Sequence, residues 1–237
     1  MRLAIDYADA DDLSQAIEGA LKALDTGETG RWRALRNKGV YIGQGSTGKI
    51  AFLFTGQGSQ YVNMLRELRD ADEVVRRTFD EADEVMAPLL DGPLTDRIFV
   101  DPDDEAAIAD AEQGLKQTAI TQPAVLTVDT ALARLLGAYG IEPDMVMGHS
   151  LGEYGALVAA GALPFGDALT AVAARGRAMT DLSVGDNGRM AAVFAPPSDV
   201  EVVLDRVDGY VVVANLNSTK ECVIGGATEA VVKAVEA

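Results

Sequence analysis

Five residues, Gly148-His149-Ser150-Leu151-Gly152, constrain the fold of this chain more than any others. They follow a short apolar run, Met145-Val146-Met147, and lead straight into a helix-like segment. A serine between glycines at a strand-to-helix junction is the sequence form of a nucleophile elbow. The turn holds its central residue in a strained conformation, so its neighbours must be small. The hydroxyl projects outward, and the free N–H groups of the new helix point at whatever it attacks. That arrangement suits chemistry in which negative charge develops on a carbonyl oxygen. The alternative is a tight βα turn with a capping serine.

Histidine usage sharpens the problem. The only histidine in 237 residues is His149, next to Ser150. A serine nucleophile needs a base, and a residue adjacent to it on a sharp turn is poorly placed for that. The base is therefore not histidine, or it lies outside this chain. A formal net charge of -17 argues against nucleic acid or an anionic membrane as partner, and plain solubility is its simplest reading. Cys222 is the lone cysteine, so no internal disulfide forms and a reducing compartment is expected. No apolar run reaches transmembrane length, and Met1-Arg2-Leu3-Ala4-Ile5-Asp6 has no signal-peptide pattern. The expectation is a soluble, cytoplasmic protein.

Three regions follow from the patterning. Residues 1–48 read as an appended module: a strand over Arg2–Tyr7, a helix bearing Leu13, Ala16, Ile17, Ala20, Leu21 and Leu24 and ended by Gly27 and Gly30, a mixed stretch, and a glycine-rich hinge at Gly43–Gly48. Residues 49–187 alternate strand and helix, which predicts a layered α/β core. Lys49–Phe54 reads as a strand of a buried parallel sheet, with a helix from about Tyr61 and another carrying Val74 to Met86. Residues 91–118 read as irregular. Pro123 is placed in the first turn of a helix, and Pro164 opens a helix reaching about Leu182. Residues 188–237 change to β-α-β-β-α, one strand short of a ferredoxin-like unit.

Three segments are then decisive in combination. They are Phe54-Thr55-Gly56-Gln57-Gly58-Ser59-Gln60, Gly148-His149-Ser150-Leu151-Gly152-Glu153-Tyr154 and Arg175-Gly176-Arg177-Ala178-Met179. Thr121-Gln122-Pro123-Ala124, Met190-Ala191-Ala192-Val193, Asn215-Leu216-Asn217-Ser218 and Val223-Ile224-Gly225-Gly226 support them. Over residues 49–237 this set resembles the malonyl-CoA:acyl-carrier-protein transacylases and the acyltransferase domains of polyketide and polyunsaturated fatty acid synthases. The resemblance implies a hydrolase-like α/β parallel-sheet core (49–187) with an inserted ferredoxin-like α+β subdomain (188–237), here incomplete. Residues 1–48 resemble a ketosynthase-to-acyltransferase linker.

The same resemblance implies roles. Ser150 attacks a malonyl-type acyl-CoA and passes the acyl group to the phosphopantetheine thiol of an acyl carrier protein. Gln57 and the Leu151 backbone N–H form the oxyanion hole. Arg175, on an otherwise apolar helix face, grips the free carboxylate of the acyl group; a structural salt bridge is the alternative. Gln122 lines the acyl pocket or, equally well, caps a helix. His149 supports the elbow. Asn215 and Asn217 line the site or, the preferred reading, form a turn, and Cys222 reads as a buried small residue. No metal and no bound cofactor is implied; malonyl-CoA is the donor, and neighbouring synthase domains such as a ketosynthase are implied partners. The family's catalytic histidine follows the ferredoxin-like insert, and this chain ends first, so it reads as the N-terminal piece of an acyltransferase domain. A serine hydrolase or thioesterase, or a non-catalytic scaffold fragment of a synthase, are the alternatives.

Overall fold

A computed structural model describes residues 1–27, 29–46, 48–181 and 188–237. The chain divides into two compact units, Met1–Ile50 and Ala51–Ala237.

In the first unit, β1 (Arg2–Ile5) pairs antiparallel with β2 (Val40–Gly43), and α1 (Ala10–Thr26) and α2 (Thr29–Arg36) lie between them in sequence. Asp9 caps α1 by accepting from the N–H groups of Asp11 and Asp12, and Gly27 closes it in the left-handed region, φ +64°. Gly27 alone ends that helix; Gly30 lies within α2, so the stretch after it is more helical than its composition suggests.

The second unit opens with β3 (Ala51–Phe54), followed by α3 (Arg66–Ala71), α4 (Glu73–Leu90), a 3-10 turn (Thr95–Arg97), α5 (Glu105–Gly114) and α6 (Thr118–Ala138). β4 (Met145–Gly148), α7 (Gly152–Ala159) and α8 (Phe165–Asp181) complete the α/β part. Helix α6 is its axis. Residues Ile120–Thr127 and Asp129–Ala131 are all buried, and α4, α7 and α8 pack around them. The core centres on Phe79, Met86, Leu94, Leu126, Leu151 and Leu169. Among the described residues, no helix is long and apolar enough to cross a membrane.

Several expectations are corrected here. β3 and β4 are parallel, with Phe54 opposite Gly148, but the strand is not buried on both faces. Leu53 is 67% exposed and Met147 64%, because α7 covers only one side of a two-stranded sheet. The helix expected at Tyr61 starts at Arg66, since Asn63 and Leu65 take left-handed backbone, φ +63° and +60°. The stretch 91–118 holds the 3-10 turn and α5. Its acidic cluster supplies the α5 N-cap, with Asp104 accepting from Ala106 and Ala107 N–H groups. Pro123 sits more than a turn inside α6, not in its first turn. Leu182, the expected end of α8, lies outside the described residues.

The C-terminal part is β5 (Arg189–Val193), α9 (Pro197–Leu204), β6 (Val211–Ser218), β7 (Glu221–Gly226) and α10 (Thr228–Glu236). The strands form an antiparallel sheet in the order β5-β7-β6. Val200, Cys222, Ile224 and Val231 make a small separate core. Asn215 and Asn217 lie in β6 rather than in a turn. The pairing of β6 with β7 is irregular between Val213 and Asn215.

Candidate active site

The elbow is built by steric exclusion. Ser150 adopts φ +54°, a region L-residues rarely occupy. A Cβ on Gly148 would collide with the Gly152 carbonyl, and a Cβ on Gly152 would collide with the Phe54 carbonyl. Both glycines are therefore required for α7 to start this close to β3. The parallel register sends the turn after β3 and the elbow after β4 out from the same end of the strand pair. The two turns touch, since a Cβ on Gly56 would lie 3.0 Å from the His149 carbonyl oxygen.

Ser150 is exposed, and its Oγ accepts a hydrogen bond of 3.1 Å from Arg175 Nη2. Arg175 is half-buried on α8 and has no carboxylate partner among the described residues. The salt-bridge alternative thus has no acid to carry it there. Gly176 explains how the arginine arrives. A Cβ at that position would lie 2.7 Å from Ala119 Cα and from the Thr118 carbonyl oxygen, so glycine lets α8 cross α6 closely. On α6 the Gln122 side chain is fully buried; its Nε2 lies 3.4 Å from Met179 Sδ and its Oε1 has no partner. The helix-capping alternative for Gln122 fails, because Gln117 occupies the N-cap of α6.

Gln57 is exposed on the turn after β3. Leu151 is 1% exposed, anchoring the elbow in the core through its side chain. Neither the Gln57 side-chain amide nor the Leu151 backbone N–H makes a hydrogen bond among the described residues. Both donors are therefore unengaged among the described residues. His149 is exposed, and its Nδ1 lies 3.9 Å from the Gly56 Cβ position, on the Gln57 turn.

Sequence reasoning missed one group. Asp129 on α6 is 9% exposed, its Oδ1 accepts from Thr55 Oγ1 at 3.2 Å, and its Oδ2 has no partner. Burial pushes this carboxyl up from 3.8 to about 6, against hydrogen bonds from the Thr55 side chain and backbone that favour the ionised form. The signal available was the one charged residue in the stretch 118–133.

Residues 51–237 match the family model described as an acyl transferase domain. The chain belongs to the acyl transferase domain family. It is 42% identical over 192 residues to a malonyl CoA-acyl carrier protein transacylase of Bacillus subtilis, covering 79% of this chain and 56% of that protein. It therefore spans little more than half of that relative. The acyltransferase domain from the second module of the salinomycin polyketide synthase is 33% identical, with TM-score 0.79, and covers 99% of this chain and 50% of that one. A malonyl-transacylase solved in complex with its type II polyketide synthase acyl-carrier protein is 34% identical with TM-score 0.69, covering 80% of this chain and 58% of that one. The α/β core with its added antiparallel sheet is the fold of this family.

Proposed function

We propose that the protein moves a malonyl-type acyl group from CoA to the phosphopantetheine thiol of an acyl carrier protein, by way of an ester on Ser150. Ser150 Oγ attacks the thioester carbonyl, and the oxyanion takes the Gln57 amide and the Leu151 N–H. Collapse expels the CoA thiolate, which leaves with the serine proton. The carrier thiol then repeats the sequence in reverse and frees Ser150. The proton is relayed by a base from outside the described residues, since His149 faces the Gln57 turn. The observation that carries the reading is the 3.1 Å contact between Arg175 Nη2 and Ser150 Oγ. A guanidinium without an acid partner, one hydrogen bond from the nucleophile, suits an acyl group ending in a carboxylate. Gln122, with a buried oxygen still unsatisfied, lines the acyl end. A hydrolase or thioesterase would use the same elbow but leaves Arg175 without a role.

The complex of a related malonyl-transacylase with its carrier protein supports the acceptor. Residues 1–48 are read as a linker from a preceding synthase domain, with residues 49–187 and 188–237 as core and inserted subdomain. The salinomycin synthase domain, which extends over nearly the whole chain, supports that N-terminal assignment. A cytoplasmic location follows from the same biosynthetic role.

The test is intact mass after incubation of the native protein with malonyl-CoA or acetyl-CoA. A malonyl adduct is expected, absent in Ser150→Ala and weakened in Arg175→Ala, with little acetyl adduct. An adduct that survives Ser150→Ala, or equal labelling by both donors, overturns the reading.

A further inference from the structure

The acyl-transfer chemistry proposed above makes no use of Asp129, although a buried carboxyl without a cationic partner is among the costliest groups to place inside a protein. Its surroundings say what it holds. On the β3 side it meets Thr55 through both side chain and backbone. On the α7 side Gly155 lies beside it, and a Cβ there would be 3.4 Å from Oδ2. Thr55 is the first residue of the turn that carries Gln57. Thr55 Oγ1 lies 3.1 Å from Ser59 Oγ. Ser59 Oγ in turn donates to the Gly56 carbonyl at 3.0 Å. The Gly58 N–H donates to Gln60 Oε1 at 2.8 Å. The turn has no helix or strand of its own, and Gly58 sits at φ +111°.

We propose that Asp129 is a positioning residue of the acyl-transfer site, holding the Gly56-Gln57-Gly58 turn, and with it the Gln57 amide, against the elbow through Thr55 and Ser59. Thr55 Oγ1 donates its one proton to Asp129 Oδ1 at 3.2 Å, which fixes the rotation of that hydroxyl. Ser59, packed 3.1 Å from Thr55 Oγ1, gives its own proton to the Gly56 carbonyl.

The inference rests on the acyl-transfer reading for its catalytic consequence but not for its structural one, and the experiment reads both. In the native protein, Asp129→Ala, Asp129→Asn, Thr55→Val and the Asp129→Ala/Thr55→Val pair are compared by amide hydrogen exchange over residues 55–60. The same four are compared by the rate constant and KM of acyl-enzyme formation from malonyl-CoA. Asp129→Ala is expected to speed exchange in the turn and to slow acylation by roughly tenfold to a hundredfold at nearly unchanged KM, below the loss of an oxyanion donor outright. Asp129→Asn, whose Oδ1 still accepts from Thr55, retains a rate within about threefold, and the double variant is no worse than Asp129→Ala because the two residues act in one chain. Unchanged exchange in a folded Asp129→Ala, a loss confined to KM, or losses that multiply in the double variant overturn the proposal. If Asp129→Ala does not fold, Thr55→Val breaks the same link without opening a cavity and decides alone. If the wild-type protein forms no adduct with any acyl-CoA, the acyl-transfer reading fails, and the exchange data still establish or refute the hold on the turn.

Discussion

The elbow and the Gln57 turn end two neighbouring parallel strands at the same level, yet they are held in opposite ways. The elbow is fixed by backbone contact. Gly148 and Gly152 have no room for a side chain, and Ser150 is forced to φ +54° between them. The Gln57 turn is fixed by side chains, in the chain from Asp129 through Thr55 and Ser59 to the Gly56 carbonyl. A nucleophile tolerates little displacement, and steric exclusion gives it one position. On the proposed reading Gln57 is a donor whose best bond forms only as charge develops, and it is held by groups that can exchange partners. The difference separates a turn that fails completely when altered from one that loosens by degrees.

The largest effect is therefore expected at Gly152. Gly152→Ala places a methyl group against the Phe54 carbonyl, and either α7 shifts off β3 or the elbow opens. Destabilisation of about 3 kcal/mol or more is expected, at the upper end for overpacking, together with loss of the Ser150 adduct. Chemical denaturation and intact mass measure the two. A variant that keeps both would mean the elbow is not held by steric exclusion.

Asp129→Asn tests the other turn through its pH dependence. Burial pushes the native Asp129 carboxyl up from 3.8 to about 6. Between those values the native state binds more protons than the unfolded one, so wild-type stability falls as pH rises from about 4 to 6 and is flat beyond. The asparagine variant lacks this slope. The stability difference should widen across that window to about 3 kcal/mol in favour of the variant at pH 7, less whatever hydrogen bonding the amide loses. Unfolding midpoints at pH 4, 5, 6 and 7 (roughly spanning both pKa values) measure it. Parallel curves would mean that folding leaves the Asp129 carboxyl at its ordinary value.

Arg175→Ala asks whether the elbow needs support from a side chain as well. The glycines already fix Ser150, so the unfolding midpoint should scarcely move. kcat/KM for malonyl-CoA should fall by about tenfold to a hundredfold, as a charge-assisted contact is lost, with no comparable fall for a neutral acyl-CoA. An equal fall for both donors would make Arg175 a support of the elbow rather than a carboxylate ligand.

The same contrast explains what was legible in the sequence. The elbow is local: Gly-His-Ser-Leu-Gly after an apolar strand announces its own geometry, and Arg175 stands out as a charge on an otherwise apolar helix face, whereas the close crossing at Gly176 shows only in the fold. Residues 188–237 were legible because strand and helix alternate with clear period. Asp129 was not, because its partner Thr55 is 74 residues away and its own position reads as one misfit in an apolar helix. α5 was hidden because Glu105-Ala106-Ala107-Ile108-Ala109-Asp110 offers little apolar periodicity and follows a run of acids whose capping role only the backbone reveals. The bare face of β3 and β4 was hidden for a different reason. Leu53, Met145 and Met147 are as apolar as buried residues, and no pattern within a strand states which neighbours will cover it.

The smallest effect should fall on Ser59, the far end of the side-chain hold. Ser59→Ala removes the hydroxyl that meets both Thr55 Oγ1 and the Gly56 carbonyl, on an exposed residue where water replaces what is lost. About 1 kcal/mol of stability at most is at stake. The informative quantity is the rate constant for acylation of Ser150. A drop of about threefold to tenfold, at constant KM and with Asp129 intact, would mean that the hold on Gln57 runs through the whole chain and weakens link by link. A rate equal to wild type would shorten the hold to Asp129 and Thr55, with the Gly56 carbonyl positioned by its contact with the elbow, and the two turns would then share the steric device that now distinguishes them.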